Sequence, residues 1–422
     1  MEKYNYDIDF EYNSKHYIYN TITSALAELD SKTFDEYSSV KKGLCLDNDI
    51  QRSFSENGFL LGQEIEKDIL QDRKSLSYDL SSTLNITIAP TLNCNLNCIY
   101  CFQQNHEDES CTLDEDTLLS FIKQFSIKNL NITWFGGEPT LKLNLITEIS
   151  KSLIMYCSDN DIRYSASIIS NGLLLNDDTL NRLIESQVNK FQLTMDGLKH
   201  THNERKNGGE KLGDSFSNVV HLIKSATDKS IKISLRVNID KENYDEIYDL
   251  IDYLEPIFNK NISIHFSKIE QFTNKNLIMK NEIFTEEEFS LIEVKLYKYL
   301  LKKKMINSLD ILYPYSKSNY CGATESNSFI ISNDGFLYKC WCDMEDKSKS
   351  IGTITSKQNN LHDNYFVAYS ALEDSECKNC TMLPLCWGGC LKHHRDTERK
   401  CPEIKRNLID YLKLEIDSNI NV

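Results

Sequence analysis

An α/β fold on a parallel sheet is what the chain predicts, with a small strand-and-helix unit before it and a cysteine-rich region after it. Three observations carry this. Between residue 83 and about residue 270, short strand-like runs alternate with helical stretches of ten or more residues, the pattern of parallel βαβ units. Residues 1–82 hold two short alternating runs around a turn and no cysteine cluster. Eight of the fourteen cysteines fall between Cys321 and Cys401. At 422 residues, two or three domains are expected. A hydrophobic content of 40% is enough for their cores.

In chain order, Asp7–Tyr12 and His16–Asn20 predict strands around the turn Asn13-Ser14-Lys15. Thr23–Leu29 and Phe34–Tyr37 read as helical pieces, Asn57-Gly58 as a turn, and Gln63–Gln71 as a helix. Six strands follow at Leu84–Ala89, Asn131–Trp134, Arg163–Ser170, Lys190–Thr194, Ile231–Val237 and Ile262–Phe266. Helical patterns fill the gaps at Leu113–Phe125, Leu143–Tyr156, Asp177–Ser186, Ser215–Ala226 and Tyr244–Leu254. Thr285–Lys304 predicts a further helix, acidic at its start and basic at its end as the helix dipole favours.

The charge balance excludes some partners. A net charge of −16 argues against a nucleic-acid backbone, which needs a basic surface. No apolar run reaches the ~18 residues of a membrane span. The charged start MEKYNYDIDFEYN lacks the apolar stretch of a signal peptide. A cytoplasmic protein without membrane contact is therefore expected. Fourteen cysteines in a large chain without an export signal point to metal or redox chemistry. Cys45, Cys111 and Cys157 stand alone, as inert buried thiols do.

Leu92–Gln104 reads LNCNLNCIYCFQQ and sets Cys94, Cys98 and Cys101 at C-x3-C-x2-C after the first strand of the alternating region. Three thiolates on one loop can hold three corners of an iron–sulfur centre and leave one iron open. A zinc loop is the alternative. After the second strand comes Gly136-Gly137-Glu138-Pro139. Glycines permit close backbone approach to a ligand, and Glu138 can accept from an ammonium group. Ser170-Asn171-Gly172 ends the third strand, Asp196-Gly197 the fourth, and Arg236 and Asn238 the fifth. A guanidinium at Arg236 suits a carboxylate.

The cysteine loop with Tyr100, together with GGEP, resembles the signature of the radical S-adenosylmethionine (SAM) enzymes. The resemblance implies a partial (β/α)6 TIM-like barrel over residues 83–310, with the site at the C-terminal ends of its strands. It implies a 4Fe–4S cluster on Cys94, Cys98 and Cys101, whose open iron takes the amino and carboxylate groups of SAM. Gly136, Gly137 and Glu138 would hold the methionine amino group and Arg236 its carboxylate. Ser170, Asn171 and Asp196 would lie among the SAM contacts, and Tyr100 would pack on adenine. Asp196-Gly197 with His202 and Arg205 is similar to the family's "DG…H-D-x-x-R" stretch, with Asn203 in place of Asp and the arginine one residue early.

Residues 311–422 carry a second pattern: C-x13-G-x4-C from Cys321 to Cys340, then Cys377, Cys380, Cys386 and Cys390, then Cys401. It resembles the seven-cysteine SPASM domain, which holds two auxiliary 4Fe–4S clusters. Cys377, Cys380, Cys386 and Cys401 would bind the outer one and Cys321, Cys340 and Cys390 the inner. Two zinc sites are the alternative. The inner cluster would have an open iron unless Cys342 fills it. On a strand, Cys340 and Cys342 would point the same way. Residues 1–82 are similar in pattern to the peptide-recognition domains that precede many peptide-modifying enzymes; an extension that merely packs on the barrel is the alternative.

The family implies a peptide maturase with three clusters and SAM, reduced by a donor such as flavodoxin or ferredoxin. It would cleave SAM to a 5′-deoxyadenosyl radical, take hydrogen from a ribosomally made precursor and close a thioether. No acid–base dyad is implied. Carbon–carbon crosslinking is one alternative. Another is a sulfatase-type maturase that makes formylglycine. Those relatives carry Asp directly after the equivalent of Cys340, where this chain has Trp341, with Asp343 the nearest acid.

Overall fold

The computed structural model describes residues 5–44, 48–78, 82–103, 111–206, 214–270, 282–306, 312–356 and 364–420. Cys45 and Gln104 lie outside the described residues. The N-terminal unit is an antiparallel sheet of β1 (Asp7–Tyr12), β2 (Lys15–Asn20) and β3 (Leu26–Leu29), in that order. Helices α1 (Ser31–Lys41), α2 (Asn48–Glu56) and α3 (Gln63–Tyr78) follow. The stretch read as helical from Thr23 is a turn followed by β3. Pairing with β2 from His16↔Leu29 to Tyr19↔Leu26 outweighs the helical propensity of Leu, Ala and Glu. Because β2 is central, β1 and β3 are the edges of this sheet.

All six expected parallel strands form: β4 (Thr83–Ile88), β5 (Asn129–Trp134), β6 (Arg163–Ser170), β7 (Val188–Met195), β8 (Lys232–Ile239) and β9 (Ile262–Lys268). They pair in sequence order, all parallel. The connecting helices are α4 (Glu115–Ile122), α5 (Leu143–Asp159), α6 (Asp177–Glu185), α7 (Lys199–Arg205), α8 (Ser215–Ser225) and α9 (Ile247–Leu254). On β5 the buried Leu130, Ile132 and Trp134 alternate with half-buried Asn129, Asn131 and Thr133. That period of two sends the apolar face to the helices and leaves a polar face lining the barrel. Thr133, Ser167, Gln192, Ser234 and Ser263 border a cavity of ≈ 560 Å³ there.

The sheet does not end with the barrel. From the C-terminal region, β10 (Ser328–Ile331) lies parallel beside β4, and β11 (Phe336–Tyr338) and β12 (Gly352–Thr353) extend it antiparallel. Nine strands share one sheet, with β4 in the interior, paired to β5 and β10. Helix α10 (Glu286–Lys302) opens with a capping box between Thr285 and Glu288. It packs against the last helix, α11 (Ile404–Ile420), and among the described residues the helices between them in the chain are short turns of three to six residues.

The N-terminal unit is built into the rest. Tyr19, Leu385, Leu408 and Leu412 form one apolar cluster. Tyr6, Ile22, Leu61 and Leu70 join Leu383 and Trp387 in another. Thr21 Oγ1 donates to the Thr381 carbonyl at 2.7 Å. Among the described residues no helix is long and apolar enough to cross a membrane.

Candidate active site

The cysteine loop leaves the C-terminal end of β4, where parallel barrels collect their sites. Its seat is backbone. A Cβ on Gly136 would lie 2.3 Å from the Thr91 carbonyl oxygen, and one on Gly137 2.1 Å from that of Asn93. The Gly137 N–H donates to Thr91 O at 3.1 Å and the Glu138 N–H to Asn93 O at 2.8 Å. The close approach that requires these glycines in this structure is to the cysteine loop. On the other side the Asn97 N–H donates to Lys206 O at 3.3 Å and the Ile99 N–H to Arg205 O at 3.1 Å.

Cys94 Sγ accepts from the Leu96 N–H at 3.4 Å and from Asn171 Nδ2 at 3.7 Å. Burial pushes the Cys94 thiol up to about 11 and Cys101 up to about 12. Burial also raises Cys98, against the pull of Lys206. Such thiols need a bound cation to ionise, since a coordinating metal deprotonates them outright. Among the described residues, the buried N–H groups of Asn95 Nδ2, Gln103 Nε2, Arg205 Nε and Arg236 Nε around this site have no partner. Donor-rich surroundings of this kind fit a sulfide cluster and a carboxylate ligand. Among the described residues no three Cys, His, Asp or Glu side chains converge as ligands of a single ion do.

Beneath the loop lies a charged network. Asp196 is fully buried. Its carboxylate accepts from Tyr100 Oη at 2.6 Å and Asn238 Nδ2 at 3.1 Å, and pairs with Lys206 Nζ at 3.4 Å. Burial alone would raise the Asp196 carboxyl, but Lys206, His202 and Tyr100 outweigh it and hold it below the usual range. Lys206 also donates to Tyr100 Oη and Thr194 Oγ1, both at 2.7 Å. Sequence reasoning missed Lys206. Its only sequence signal is its place directly after Arg205. The Tyr100 hydroxyl is tied to Asp196, Lys206 and Asn238, and its ring faces the Lys206 and Arg205 cations.

His202 and Arg205 have structural work here. Burial, and Lys206 after it, pushes the His202 imidazole down to about 3. Its Nδ1 accepts from the Asp196 N–H at 3.2 Å while Nε2 meets Ser215 Oγ at 2.6 Å. Arg205 forms a two-pronged pair with Asp240 at 2.6 and 3.2 Å.

Glu138 is fully buried between β5 and β6. It accepts from the Thr140 N–H at 3.1 Å, Ser170 Oγ at 2.9 Å and the Asn171 N–H at 2.8 Å. Ser170 and Asn171 thus serve Glu138, and Oε2 keeps room for a further donor. Arg236 contrasts with it. Among the described residues it forms no ion pair, and its Nε is buried and unmatched. Burial lowers its proton affinity, opposed by Tyr100, Asp196 and Cys342. An uncommitted buried guanidinium is a seat for an anion.

The structure groups the C-terminal thiols as their pattern divides them. Cys386 lies close enough to Cys377, Cys380 and Cys401 for each to bear on its proton affinity, and Cys321 is placed likewise to Cys340 and Cys390. Arg399 donates to Cys377 Sγ at 3.1 Å and Lys405 to Cys401 Sγ at 3.5 Å. Cys340 and Cys342 do not share a strand: Trp341–Asp343 is a 3₁₀ turn capped by Cys340. The two thiols nevertheless lie near enough that each shifts the other's proton affinity, lowering that of Cys340 and raising that of Cys342. Asp343 is committed to Arg395 at 2.7 and 2.9 Å and to Lys392 at 3.3 Å.

Residues 88–254 match the family model described as the Radical SAM superfamily. The cysteine-type anaerobic sulfatase-maturating enzyme of Clostridium novyi (strain NT) is 27% identical over 345 residues, covering 74% of this chain and 88% of that protein. Native anSMEcpe, solved with bound AdoMet and Cp18Cys peptide, superposes with a TM-score of 0.62 at 19% identity, covering 80% of this chain and 98% of that one. SuiB of Streptococcus suis, solved bound to precursor peptide SuiA, superposes with a TM-score of 0.53 at 16% identity, covering 95% and 99%.

Proposed function

We propose that this radical SAM enzyme is a peptide maturase that closes a sulfur-to-carbon thioether in a ribosomally made precursor. Its domain takes SAM and an iron–sulfur cluster. In this reading Cys94, Cys98 and Cys101 hold that cluster, and the two C-terminal groups of thiols hold two more, three 4Fe–4S clusters in all. Bound and reduced, SAM supplies the means to abstract hydrogen from unactivated carbon. The chain's own residues position it. Arg236 receives the SAM carboxylate, Glu138 Oε2 its ammonium group, and Asp196 with Lys206 and Tyr100 holds the loop from below. Asp196 and Tyr100 are positioning residues in this account because their polar atoms are already committed to one another.

Likeness to proteins solved with peptides supports a peptide substrate. A leader segment would add a strand to β1 or β3, the free edges of the N-terminal sheet. Flavodoxin or ferredoxin would supply electrons. The observation that carries thioether closure is Asp343. It is the one acid on the turn after Cys340, and both its oxygens are held by Arg395, so no free carboxylate is offered there as a base.

The Clostridium novyi relative favours a second reading, oxidation of cysteine to formylglycine. Mass spectrometry of a cysteine-containing precursor, incubated anaerobically with SAM and dithionite, decides between them. Thioether closure removes two hydrogens and keeps the sulfur. Loss of sulfur would establish formylglycine instead.

A further inference from the structure

Two cavities beyond the cysteine loop share a wall. One, of ≈ 310 Å³, opens beside Arg236, Phe266, Cys390 and His393. The other, of ≈ 400 Å³, is lined by Tyr297, Leu312, Tyr313, Pro314 and Leu385. Glu293, Tyr320, Pro402 and Glu403 line both, so the two spaces adjoin at these residues. The far end meets the N-terminal unit, where Tyr313 Oη donates to the Ser24 carbonyl at 2.6 Å and Tyr19 Oη to that of Pro314. Taken end to end, the two cavities mark a path from the N-terminal unit, past the shared Glu293, Tyr320, Pro402 and Glu403, to Arg236 at the barrel mouth.

Its carboxylates are not equivalent. Lys268 pairs with Glu270 at 3.1 Å, Glu286 at 2.9 Å and Glu403 at 3.8 Å. Lys400 adds pairs with Glu270 and Glu286, both at 3.2 Å. Glu293 forms no ion pair among the described residues. Its partners are neutral, Tyr411 Oη at 2.6 Å and Asn407 Nδ2 at 2.9 Å, and both use Oε2. Burial, with Glu403 adding to it, pushes this carboxyl up to about 7 against the pull of Tyr411 and Asn407. A carboxylate left without a cation, at a waist it shares with Tyr320 and with Tyr297 and Tyr411 lining the cavity on one side, suits a cationic side chain: the carboxylate takes the charge and the rings its flanks.

We infer that the substrate peptide runs through this passage and that Glu293 binds a lysine or arginine side chain of that peptide at the waist. The inference rests on the peptide-maturase reading. Its probes are two fluorescently labelled pentapeptides, Tyr-Ala-Lys-Ala-Tyr and the same peptide with norleucine for lysine. Binding to the full-length holoenzyme with SAM is measured by anisotropy at a pH above 7, where the carboxylate is ionised.

The lysine peptide should bind roughly ten-fold tighter or better, as a charge-assisted hydrogen bond provides. Glu293→Gln should erase the difference without changing SAM affinity. Equal binding of both peptides by the wild type, or binding of neither, overturns the inference whether or not the variant folds. So does a Glu293→Gln variant that keeps the preference. The outcomes separate from those of the maturase reading. An enzyme that cleaves SAM and modifies a precursor without preferring lysine overturns only the passage assignment. One that prefers lysine but modifies no precursor overturns the maturase reading.

Discussion

The barrel cysteines and the C-terminal cysteines are held by different physics. Cys94, Cys98 and Cys101 sit on a loop fixed by main chain: Gly136 and Gly137 press on one flank, and the carbonyls of Arg205 and Lys206 take N–H groups on the other. The charges below it are buried. The C-terminal thiols lie on short turns tied by ion pairs whose arginines are partly exposed, Arg399 to Asp374 at 2.8 Å and Arg395 to the buried Asp343. Backbone seating resists salt, whereas partly exposed pairs weaken as ionic strength rises. The difference teaches that the barrel loop is built for rigidity and the C-terminal turns depend on side-chain electrostatics.

The largest expected effect comes from removing the first region's thiols. Changing Cys94, Cys98 and Cys101 to Ala should abolish SAM cleavage and remove about four irons, while the C-terminal region keeps its iron by elemental analysis. Lys206→Met attacks the buried network. It strands Asp196 without its cation, which costs about 3–5 kcal/mol. Denaturant titration should show that loss, and adding Asp196→Asn should restore much of it.

Arg236→Ala should weaken SAM binding ten- to hundred-fold, about 1.5–3 kcal/mol, with all iron retained; unchanged affinity by calorimetry would move the carboxylate seat elsewhere. Acid should test the network through His202. The folded imidazole titrates at about 3 and the unfolded one at 6.5, so its contribution is complete above 6.5 and is lost as pH falls towards 3. His202→Gln should flatten that part of the stability profile. The smallest effect is Arg399→Gln, under about 1 kcal/mol. Its loss should shrink as salt rises, and a salt-independent loss would erase the contrast between the two regions.

Much of this was legible in the chain. The six parallel strands follow from β-branched runs spaced by helices, and the cysteine spacings announce both thiol groups. What was not legible depends on contacts between distant residues. Leu26–Leu29 has helical composition and becomes a strand only because β2 offers an edge. Ser328–Ile331 joins the barrel sheet through β4, a pairing that no local pattern encodes. Lys206 looks like a surface residue at a helix end until Asp196, ten positions earlier, folds under it. The N-terminal unit is no separable module either: Tyr19 and Ile22 lie in clusters with Leu412 and Trp387. Removing residues 1–82 would strip the C-terminal region of part of its apolar cover, so leader binding is best titrated on the whole chain.

The central claim is that SAM meets the cluster of the barrel loop and no other. Electron paramagnetic resonance of the reduced protein, with and without SAM, tests it directly. The wild-type spectrum should change when SAM is added. The variant with Cys94, Cys98 and Cys101 replaced by Ala should show only auxiliary signals, unmoved by SAM. A SAM-dependent change that persists in that variant, or a wild-type spectrum indifferent to SAM, would contradict the account.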